Sequence, residues 1–332
     1  MKIALLGSDN DKFNLVFSQD VINELEKRGE LSCELINRES LEKHKDFLSE
    51  CEAVFSTWGM LQLSEDEIKK YMPGLRCVFY AAGSVQGFAQ PFLKCGVKVF
   101  SAFAANAVPV IEYTVSQILL ASKGFYQGAK RYRIAFPSAV AHTQKCKGNL
   151  GIKVGLIGLG TIGSGVAEKL KDYDIEVLAY DPFCSEEKAE ALGVRLTDLE
   201  TIFGECLVVS NHLANKKELK NIFTDKYFRL MQKHSTFINT GRGDQVDEWA
   251  LAKNLILHPS RTAVLDVLKR EKNPHINPLF WCPNAIITPH IAGSIGNETH
   301  RMAYYMTDEF DRFFSGTETK YEITEEMLKT MA

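Results

Sequence analysis

Three side chains that could act on a small anion follow predicted strands. Arg242 stands in Asn-Thr-Gly-Arg-Gly after the apolar run Thr236–Asn239, and its planar guanidinium suits a carboxylate and a neighbouring carbonyl oxygen. His290 stands in Thr-Pro-His-Ile-Ala-Gly after a predicted strand, and Glu271 lies in a loop after Leu-Asp-Val-Leu. Each has a plainer alternative: a surface arginine in a turn, a structural histidine, and one member of a solvated charge run.

A second group of residues predicts a dinucleotide site. Gly158, Gly160 and Gly163 have G-x-G-x-x-G spacing after a short apolar run, and Asp181 ends the next predicted strand. In this pattern the glycines allow a tight turn, a close pyrophosphate and close helix packing, and the helix N-terminus attracts the anion. Asp181 could accept hydrogen bonds from a ribose 2′-OH and would repel a 2′-phosphate, which favours NAD over NADP. A glycine-rich turn without a ligand is the alternative.

The composition is that of an ordinary folded protein. The chain has 332 residues, enough for two domains, with 45% hydrophobic and 24% charged residues. A net charge of −3 implies no general attraction to nucleic acid or to an anionic membrane. We expect no membrane-spanning run and no signal peptide. The eight cysteines include no C-x-x-C pair and the eight histidines no H-x-x-x-H pair, so we expect reduced, mostly buried thiols and no protein-held metal.

The elements that must position these residues alternate between strands and helices, which predicts parallel sheets covered on both faces. In the first hundred residues we predict strands at 2–6, 34–37, 53–56, 77–80 and 98–100, and helices at 18–28 and from residue 40. A long helix, 108–123, and an irregular segment, 126–148, follow. Later strands are predicted at 154–157, 176–180, 206–210, 236–239, 261–267 and 285–287, then a helix at 295–315 and a polar tail at 320–332 with a short helical pattern.

The dinucleotide pattern lies in mid-chain, which suggests an insertion. We predict an α/β protein with two doubly wound parallel-sheet domains. A Rossmann NAD domain, 105–295, would be inserted into a discontinuous flavodoxin-like substrate domain, 1–104 plus 296–332. The chain would cross between them near Asn106 and near Ser294, and a cleft there would be the natural substrate site.

Together these motifs resemble the NAD-dependent D-2-hydroxyacid dehydrogenase family, which includes phosphoglycerate dehydrogenases and glyoxylate or hydroxypyruvate reductases. The resemblance covers nearly the whole chain and includes Asn106-Ala107 with Glu112, a pattern that marks the interdomain hinge in the family. It implies NAD(H)-dependent reduction of a small 2-oxo acid to the D-2-hydroxy acid, or the reverse oxidation. It also implies a cytoplasmic homodimer.

The resemblance implies a role for each matching residue. Arg242 would bind the 2-oxo acid, His290 would be the acid and base, and Glu271 would hydrogen-bond and orient the imidazole. The substrate carboxylate would meet the backbone amides of Gly83, Ser84 and Val85. The cofactor would contact Gly158, Gly160, Thr161, Ile162, Gly163, Asp181, His212, Thr240, Asp266 and Gly293.

The chain departs from the family pattern at several positions. Val85 and Gly87 replace a glycine and an aspartate of the carboxylate loop, and Ala214 and Lys272 stand where proline is common. These departures leave the substrate open. Trp58 could line the substrate pocket or could be a core aromatic.

Other functions use parts of the same pattern. An NAD(H)-sensing protein, such as a co-repressor-like scaffold, would need the cofactor residues without turnover. A formate dehydrogenase of this fold would carry glutamine in place of Glu271, and a methyltransferase with the same glycine turn would leave Arg242, Glu271 and His290 unexplained.

Overall fold

Two separate sheets are present in the computed structural model, which describes residues 1–330. The described strands are β1 Lys2–Leu6, β2 Glu30–Leu31, β3 Cys51–Ser56, β4 Cys77–Tyr80, β5 Lys98–Ser101, β6 Ile152–Ile157, β7 Ile175–Tyr180, β8 Val194–Leu196, β9 Val208–Asn211, β10 Thr236–Asn239, β11 Thr262–Leu265, β12 Ala285–Ile287 and β13 Glu322–Ile323.

Helices connect nearly all of these strands. The described α-helices are α1 Asn10–Val16, α2 Gln19–Glu26, α3 Lys45–Ser49, α4 Glu65–Tyr71, α5 Ala89–Lys94, α6 Phe103–Ser122, α7 Phe125–Tyr132, α8 Phe136–Thr143, α9 Thr161–Leu170, α10 Glu186–Leu192, α11 Leu199–Glu205, α12 Asp225–Phe228, α13 Glu248–Leu257, α14 Glu298–Ser315 and α15 Glu325–Thr330. Short 3₁₀ turns lie at Lys217–Leu219, Gly243–Gln245, Pro274–Ile276 and Pro278–Trp281.

The chain divides into two units. The first unit comprises Met1–Ala107 and Ser294–Ala332, and the second comprises Val108–Gly293. The first boundary falls within α6. The domain boundaries predicted from the sequence lie a few residues away from these, and the last two residues of the predicted tail lie outside the described residues.

The sheet of the first unit has the order β13-β5-β4-β3-β1-β2, and all its strands are parallel except β13. The five parallel strands follow the 2-1-3-4-5 order of flavodoxin-like folds. Stacked phenylalanines on β3, β4 and β5 fill one face: the ring centroids of Phe55 and Phe79, and those of Phe79 and Phe100, are 5.0 Å apart. The tail was predicted to be polar with a short helical pattern, and it also supplies the short strand β13. The buried Glu309 carboxylate accepts the backbone N–H groups of Lys320 and Tyr321 and holds the tail next to this strand.

The second unit contains a seven-stranded sheet with the order β12-β11-β10-β9-β6-β7-β8, and every pair in it is parallel. Counted from β6, this is the doubly wound order of dinucleotide-binding folds, with two half-sheets diverging between β6 and β9. Each half-sheet is covered by helices whose apolar faces are buried. The predicted fold class, with a Rossmann-type sheet and a flavodoxin-like sheet, is confirmed.

Two predictions for the first unit are wrong. The segment 34–37 is not a regular strand, since only an isolated bridge joins Ile36 to Leu6, and β2 lies earlier. The side chain of Asn37 accepts the N–H groups of Glu39 and Ser40 and closes a local turn. The expected helix from Ser40 therefore begins only at Lys45.

The segment 126–148 was predicted to be irregular and is largely helical. Gly124 adopts a left-handed conformation with φ of 66°, which ends α6 and starts α7. A proline stands in the first turn of α8, where its missing N–H is not needed. Each of these helices has only eight residues, which is too short for a sequence-based assignment to identify it.

The sequence was expected to contain no run that could span a membrane, and the helix α6 is an exception to this expectation. By length and composition alone it could cross a membrane, with a mean hydropathy of 1.2 over its apolar window. A core helix of a folded domain passes the same test, and Ala105, Thr114 and Ile118 of α6 have no exposed surface.

Candidate active site

The glycine turn, residues 158–163, packs too closely for side chains at two positions. Gly158 has φ of 93°, and a Cβ there would lie 2.9 Å from the carbonyl oxygen of His212. A Cβ on Gly163 would lie 1.9 Å from the carbonyl oxygen of Gly158. A Cβ on Gly160 would meet no atom within 4 Å. The space above Gly160, at the N-terminus of α9, is therefore open to a ligand.

Asp181 holds this turn in place. One of its carboxylate oxygens accepts the N–H of Leu159 at 2.7 Å and the other accepts the N–H of Phe183 at 2.9 Å. Lys188 donates to the carbonyl oxygen of Leu159 at 2.7 Å. Asp181 therefore stands beside the glycine turn, partly exposed, and its contact with a ribose stays a prediction.

Two buried polar atoms in the residues that follow β9 and β10 lack a partner. His212 Nδ1 and Thr240 Oγ1 make no hydrogen bond among the described residues, whereas His212 Nε2 lies 3.0 Å from the Ser210 hydroxyl. Burial lowers the pKa of His212 to about 4, which keeps its imidazole neutral at pH 7. Orphan atoms of this kind require a ligand or water. Together with the open glycine turn, they fit a dinucleotide at the positions predicted for His212 and Thr240.

The remaining predicted cofactor residues line the same sheet edge. Thr161 is exposed and Ile162 half-buried at the start of α9. Gly293 is half-buried and ends the second unit. Their contacts with a cofactor stay predictions. Within residues 1–330, no group of three or more His, Cys, Asp or Glu side chains could hold a metal ion.

Asp266 supports the turn that carries His290, residues 288–293. Its carboxylate is only 2% exposed and accepts the Thr288 hydroxyl at 2.6 Å, the Ile291 N–H at 2.9 Å and the Ala292 N–H at 2.8 Å. Because this carboxylate only accepts, the Thr288 hydroxyl must accept in turn from Tyr113, whose oxygen is 3.1 Å away. Sequence reasoning missed this series of hydrogen bonds, because Tyr113 and Thr288 are 175 positions apart.

His290 is held in a strained conformation beside Glu271. Its φ is 56°, in the left-handed region, and its N–H donates to the backbone oxygen of Asp266 at 3.0 Å. His290 Nδ1 lies 3.1 Å from both carboxylate oxygens of Glu271. The two side chains are 51% and 45% exposed. This pairing fixes the ring and leaves Nε2 without a partner among the described residues.

Arg242 is half-buried after β10. Its Nη1 donates to the carbonyl oxygen of Gly241 at 2.8 Å. Burial lowers the pKa of Arg242, and the negative charge of Glu271 opposes that shift. Glu271 therefore acts electrostatically on Arg242 and hydrogen-bonds His290, so the three residues selected from the sequence belong to one cluster.

The loop of residues 82–87 in the first unit has free backbone donors. The Ser101 hydroxyl donates to the carbonyl oxygens of Ala82 and Gly83 at 2.9 Å and 2.8 Å. Among the described residues, no atom accepts from the N–H groups of Gly83, Ser84 and Val85. These amides are therefore available to an anion, and their contact with a substrate carboxylate stays a prediction.

The departures from the family pattern in this unit have different structural consequences. Val85 has no exposed surface and belongs to the apolar core, so the larger side chain anchors the loop from below. Gly87 is exposed. Trp58 is half-buried and packs against both apolar clusters of the unit, which favours the interpretation as a core aromatic.

Comparison with known proteins identifies the family. Residues 115–292 match the model described as D-isomer specific 2-hydroxyacid dehydrogenase, NAD binding domain. The chain is 32% identical over 204 residues to D-3-phosphoglycerate dehydrogenase of Archaeoglobus fulgidus, a match that covers 60% of this chain and 37% of that one. It is 25% identical over 285 residues to glyoxylate reductase of Korarchaeum cryptofilum, covering 85% of each chain.

Solved structures show the same fold. The D-isomer specific 2-hydroxyacid dehydrogenase of Lactobacillus delbrueckii ssp. bulgaricus, in its NAD-complexed form, aligns with a TM-score of 0.75 at 23% identity over 98% of this chain and 100% of that one. D-mandelate dehydrogenase of Rhodotorula graminis aligns with a TM-score of 0.78 at 19% identity over 98% and 97%. The matched segment contains the glycine turn and identifies NAD as the cofactor. This chain belongs to the D-isomer specific 2-hydroxyacid dehydrogenase family.

Proposed function

We propose that this protein is an NAD(H)-dependent dehydrogenase that reduces a small 2-oxo acid to its D-2-hydroxy acid, or catalyses the reverse oxidation. The observation that carries the proposal is the pairing of His290 Nδ1 with both oxygens of Glu271 at 3.1 Å. This pair follows strands of the same sheet as the glycine turn and Arg242. The family relationship supports it, although the chain spans only 37% of its A. fulgidus relative and 52% of a Methanocaldococcus jannaschii D-3-phosphoglycerate dehydrogenase.

Each residue of the cluster has a distinct task in this proposal. NADH, when bound at the glycine turn, would be the source of the hydride that the carbonyl carbon accepts. His290 donates the proton on Nε2 to the carbonyl oxygen as negative charge develops there, and Glu271 stabilises the imidazolium and fixes its orientation. Arg242 hydrogen-bonds the carbonyl and carboxylate oxygens. In the oxidation direction His290 takes the hydroxyl proton back.

The ligand contacts outside this cluster are proposals of the same kind. The free amides of Gly83, Ser84 and Val85 would bind a carboxylate of the substrate, as backbone N–H groups bind anions elsewhere. Asp181 would accept hydrogen bonds from the adenosine ribose and exclude a 2′-phosphate.

A substrate panel tests the activity. NADH oxidation is measured with glyoxylate, hydroxypyruvate, pyruvate and longer 2-oxo acids, and we expect turnover with at least one. His290→Ala should lose roughly 10²-fold to 10⁴-fold in kcat and still bind NADH. His258→Ala, at an exposed histidine after α13, is the matched control. A His290→Ala variant as active as this control would overturn the acid and base assignment.

The same panel tests the alternative of an NAD(H)-sensing scaffold. A wild-type protein that binds NADH tightly and turns over none of these acids would favour that function over a dehydrogenase.

We also propose a homodimer that works in the cytoplasm. Large apolar side chains are exposed in and after α7 and α8, among them Ile134 at 78% and Leu150 at 77%, and a second copy of the chain could cover them. All eight cysteines are free thiols, in keeping with a reducing compartment. Light scattering should give twice the chain mass, and Ile134→Glu should lower it.

A further inference from the structure

Three buried amide side chains lie between two turns of the candidate active site. Asn211 ends β9 and Asn239 ends β10, and neither has exposed surface, while Gln245 is 1% exposed. On one side of this amide network (Asn211, Asn239 and Gln245) lies the segment after His212, beside the glycine turn. On the other side lies the arginine turn, residues 240–243.

The network binds the arginine turn through its backbone. Asn239 Oδ1 accepts the N–H of Gly241 at 3.0 Å, and Asn239 Nδ2 donates to the carbonyl oxygen of Arg242 at 3.1 Å. Gln245 Oε1 accepts the N–H of Arg242 at 3.4 Å. The peptide groups on both sides of the Arg242 side chain are therefore held by amide side chains.

Two of these side chains, Gln245 and Asn211, bind the segment after His212. Gln245 Nε2 donates to the carbonyl oxygens of Leu213 at 3.2 Å and Ala214 at 2.8 Å. Asn211 Oδ1 accepts the N–H of Leu213 at 3.1 Å. This is the position at which Ala214 stands in place of the family's usual proline, so hydrogen bonds from Gln245 restrain a segment that lacks the rigid ring.

Asn211 joins the two halves. Its Nδ2 donates to Asn239 Oδ1 at 2.9 Å and to Gln245 Oε1 at 2.7 Å. Each of the six amide nitrogen and oxygen atoms thus has at least one partner, as buried polar groups require. The packing is tight, since a Cβ on Gly241 would lie 2.8 Å from Asn211 Nδ2 and 3.1 Å from Gln245 Oε1.

We propose that the amide network is a positioning device that couples cofactor binding to substrate binding. NADH orders the segment after His212, and Gln245 and Asn211 transmit that order to the backbone of Arg242, which then receives the 2-oxo acid. The inference rests on the proposed dehydrogenase function. Asn211, Asn239 and Gln245 are positioning residues here and need not touch either ligand. Simple apolar packing would fill the same space without connecting the two turns.

A matched pair of variants tests this coupling. Gln245→Leu removes the bonds to Leu213, Ala214 and Arg242 and keeps a similar volume. Gln232→Leu is the control, because Gln232 Nε2 also donates to two backbone carbonyl oxygens, those of Gly204 and Glu205, away from these turns. For both variants the dissociation constant of NADH is measured by fluorescence, with and without oxamate, a non-reducible analogue of a 2-oxo acid, and kcat and KM are measured with the best substrate of the panel.

In wild type and Gln232→Leu we expect oxamate to tighten NADH binding by the same factor. In Gln245→Leu this factor should fall at least about fivefold, and KM for the 2-oxo acid should rise by a similar factor. Gly241→Ala, which keeps every polar group and pushes a methyl group into the network, should act in the same direction if Gln245→Leu does not fold.

The outcomes separate the two proposals. Wild-type protein that turns over no 2-oxo acid overturns the dehydrogenase function and this inference with it. The positioning role alone is overturned if wild type turns over a 2-oxo acid and oxamate tightens NADH binding by the same factor in Gln245→Leu, Gly241→Ala and Gln232→Leu.

Discussion

Replacing Asp266 with asparagine should unfasten the turn that carries His290. Asparagine keeps one acceptor oxygen, which can still receive the Thr288 hydroxyl and the Ile291 N–H. Its NH₂ group would face the Ala292 N–H, which now donates to a carboxylate oxygen at 2.8 Å. The hydrogen bond from Ala292 is thus replaced by a contact between two donors. The hydrogen bonds from Thr288 and Ile291 remain, but their acceptor is no longer charged.

The size of the effect follows from these contacts. Hydrogen bonds to charged groups contribute about 1.5–3 kcal/mol each, and an unsatisfied buried donor costs about 1–3 kcal/mol. We therefore expect Asp266→Asn to lower the free energy of unfolding by about 2–4 kcal/mol. The left-handed conformation of His290 itself costs about 1–2 kcal/mol, so a loosened turn should relax towards ordinary backbone angles. A displacement of about 1 Å at the acid and base can cost about 10²-fold in rate.

The assay combines urea unfolding with kcat and NADH titration. Two further variants grade the series. Tyr113→Phe removes only the outermost hydroxyl and should cost about 1 kcal/mol or less, and Thr288→Val should fall between it and Asp266→Asn. The reasoning is refuted if Asp266→Asn unfolds within about 0.5 kcal/mol of wild type, the range of ordinary surface substitutions, with unchanged kcat.

Three further predictions concern the cofactor side. Wild type should have a far higher kcat/KM with NADH than with NADPH, and Asp181→Ser should reduce the difference between the two cofactors. Equal kcat/KM values for the two cofactors in wild type would contradict the charge argument. Gly163→Ala should lower the urea midpoint, because its Cβ would lie 1.9 Å from the Gly158 carbonyl oxygen, whereas Gly160→Ala, with no atom within 4 Å, should keep the midpoint and weaken NADH binding; equal midpoints would disprove the packing argument. Burial lowers the pKa of His212 from 6.5 to about 4, so below pH 6.5 the unfolded chain binds a proton that the folded chain refuses, and stability is lost as pH falls from 6.5 to 4. His212→Asn should lack this part of the loss. If wild type and His212→Asn lose the same unfolding free energy between pH 7.5 and 4.5, the contribution of His212 is ruled out.

Local patterns were sufficient for much of the fold. Alternating apolar runs and helical stretches gave the parallel sheets, because a parallel strand pair needs a crossover connection. They failed where local chemistry was ambiguous. Residues 34–37 are apolar enough for a strand, but the Asn37 turn ends the pairing, and α7 and α8 are too short to show clear periodicity.

The candidate site divides in the same way. Gly158, Gly163, Arg242, Glu271 and His290 could be selected from residue type and spacing, since each follows a strand and carries recognisable chemistry. The supporting contacts could not. Asp266 was selected as a cofactor contact, which stays a prediction, but its role in holding the backbone of the His290 turn could not be foreseen. Nothing in the sequence pairs Tyr113 with Thr288.

The sequence by itself determined which residues could do the chemistry and at which edge of a parallel sheet they would stand, because strand ends of one sheet share an edge. Only the tertiary structure decided how these residues are held. Asn211 and Gln245 are 34 positions apart, and their amides meet only because β9 and β10 are neighbours. A buried amide without a hydrogen-bond partner destabilises the fold. Tertiary packing decides which distant segment supplies that partner, and a local sequence pattern contains no information about it.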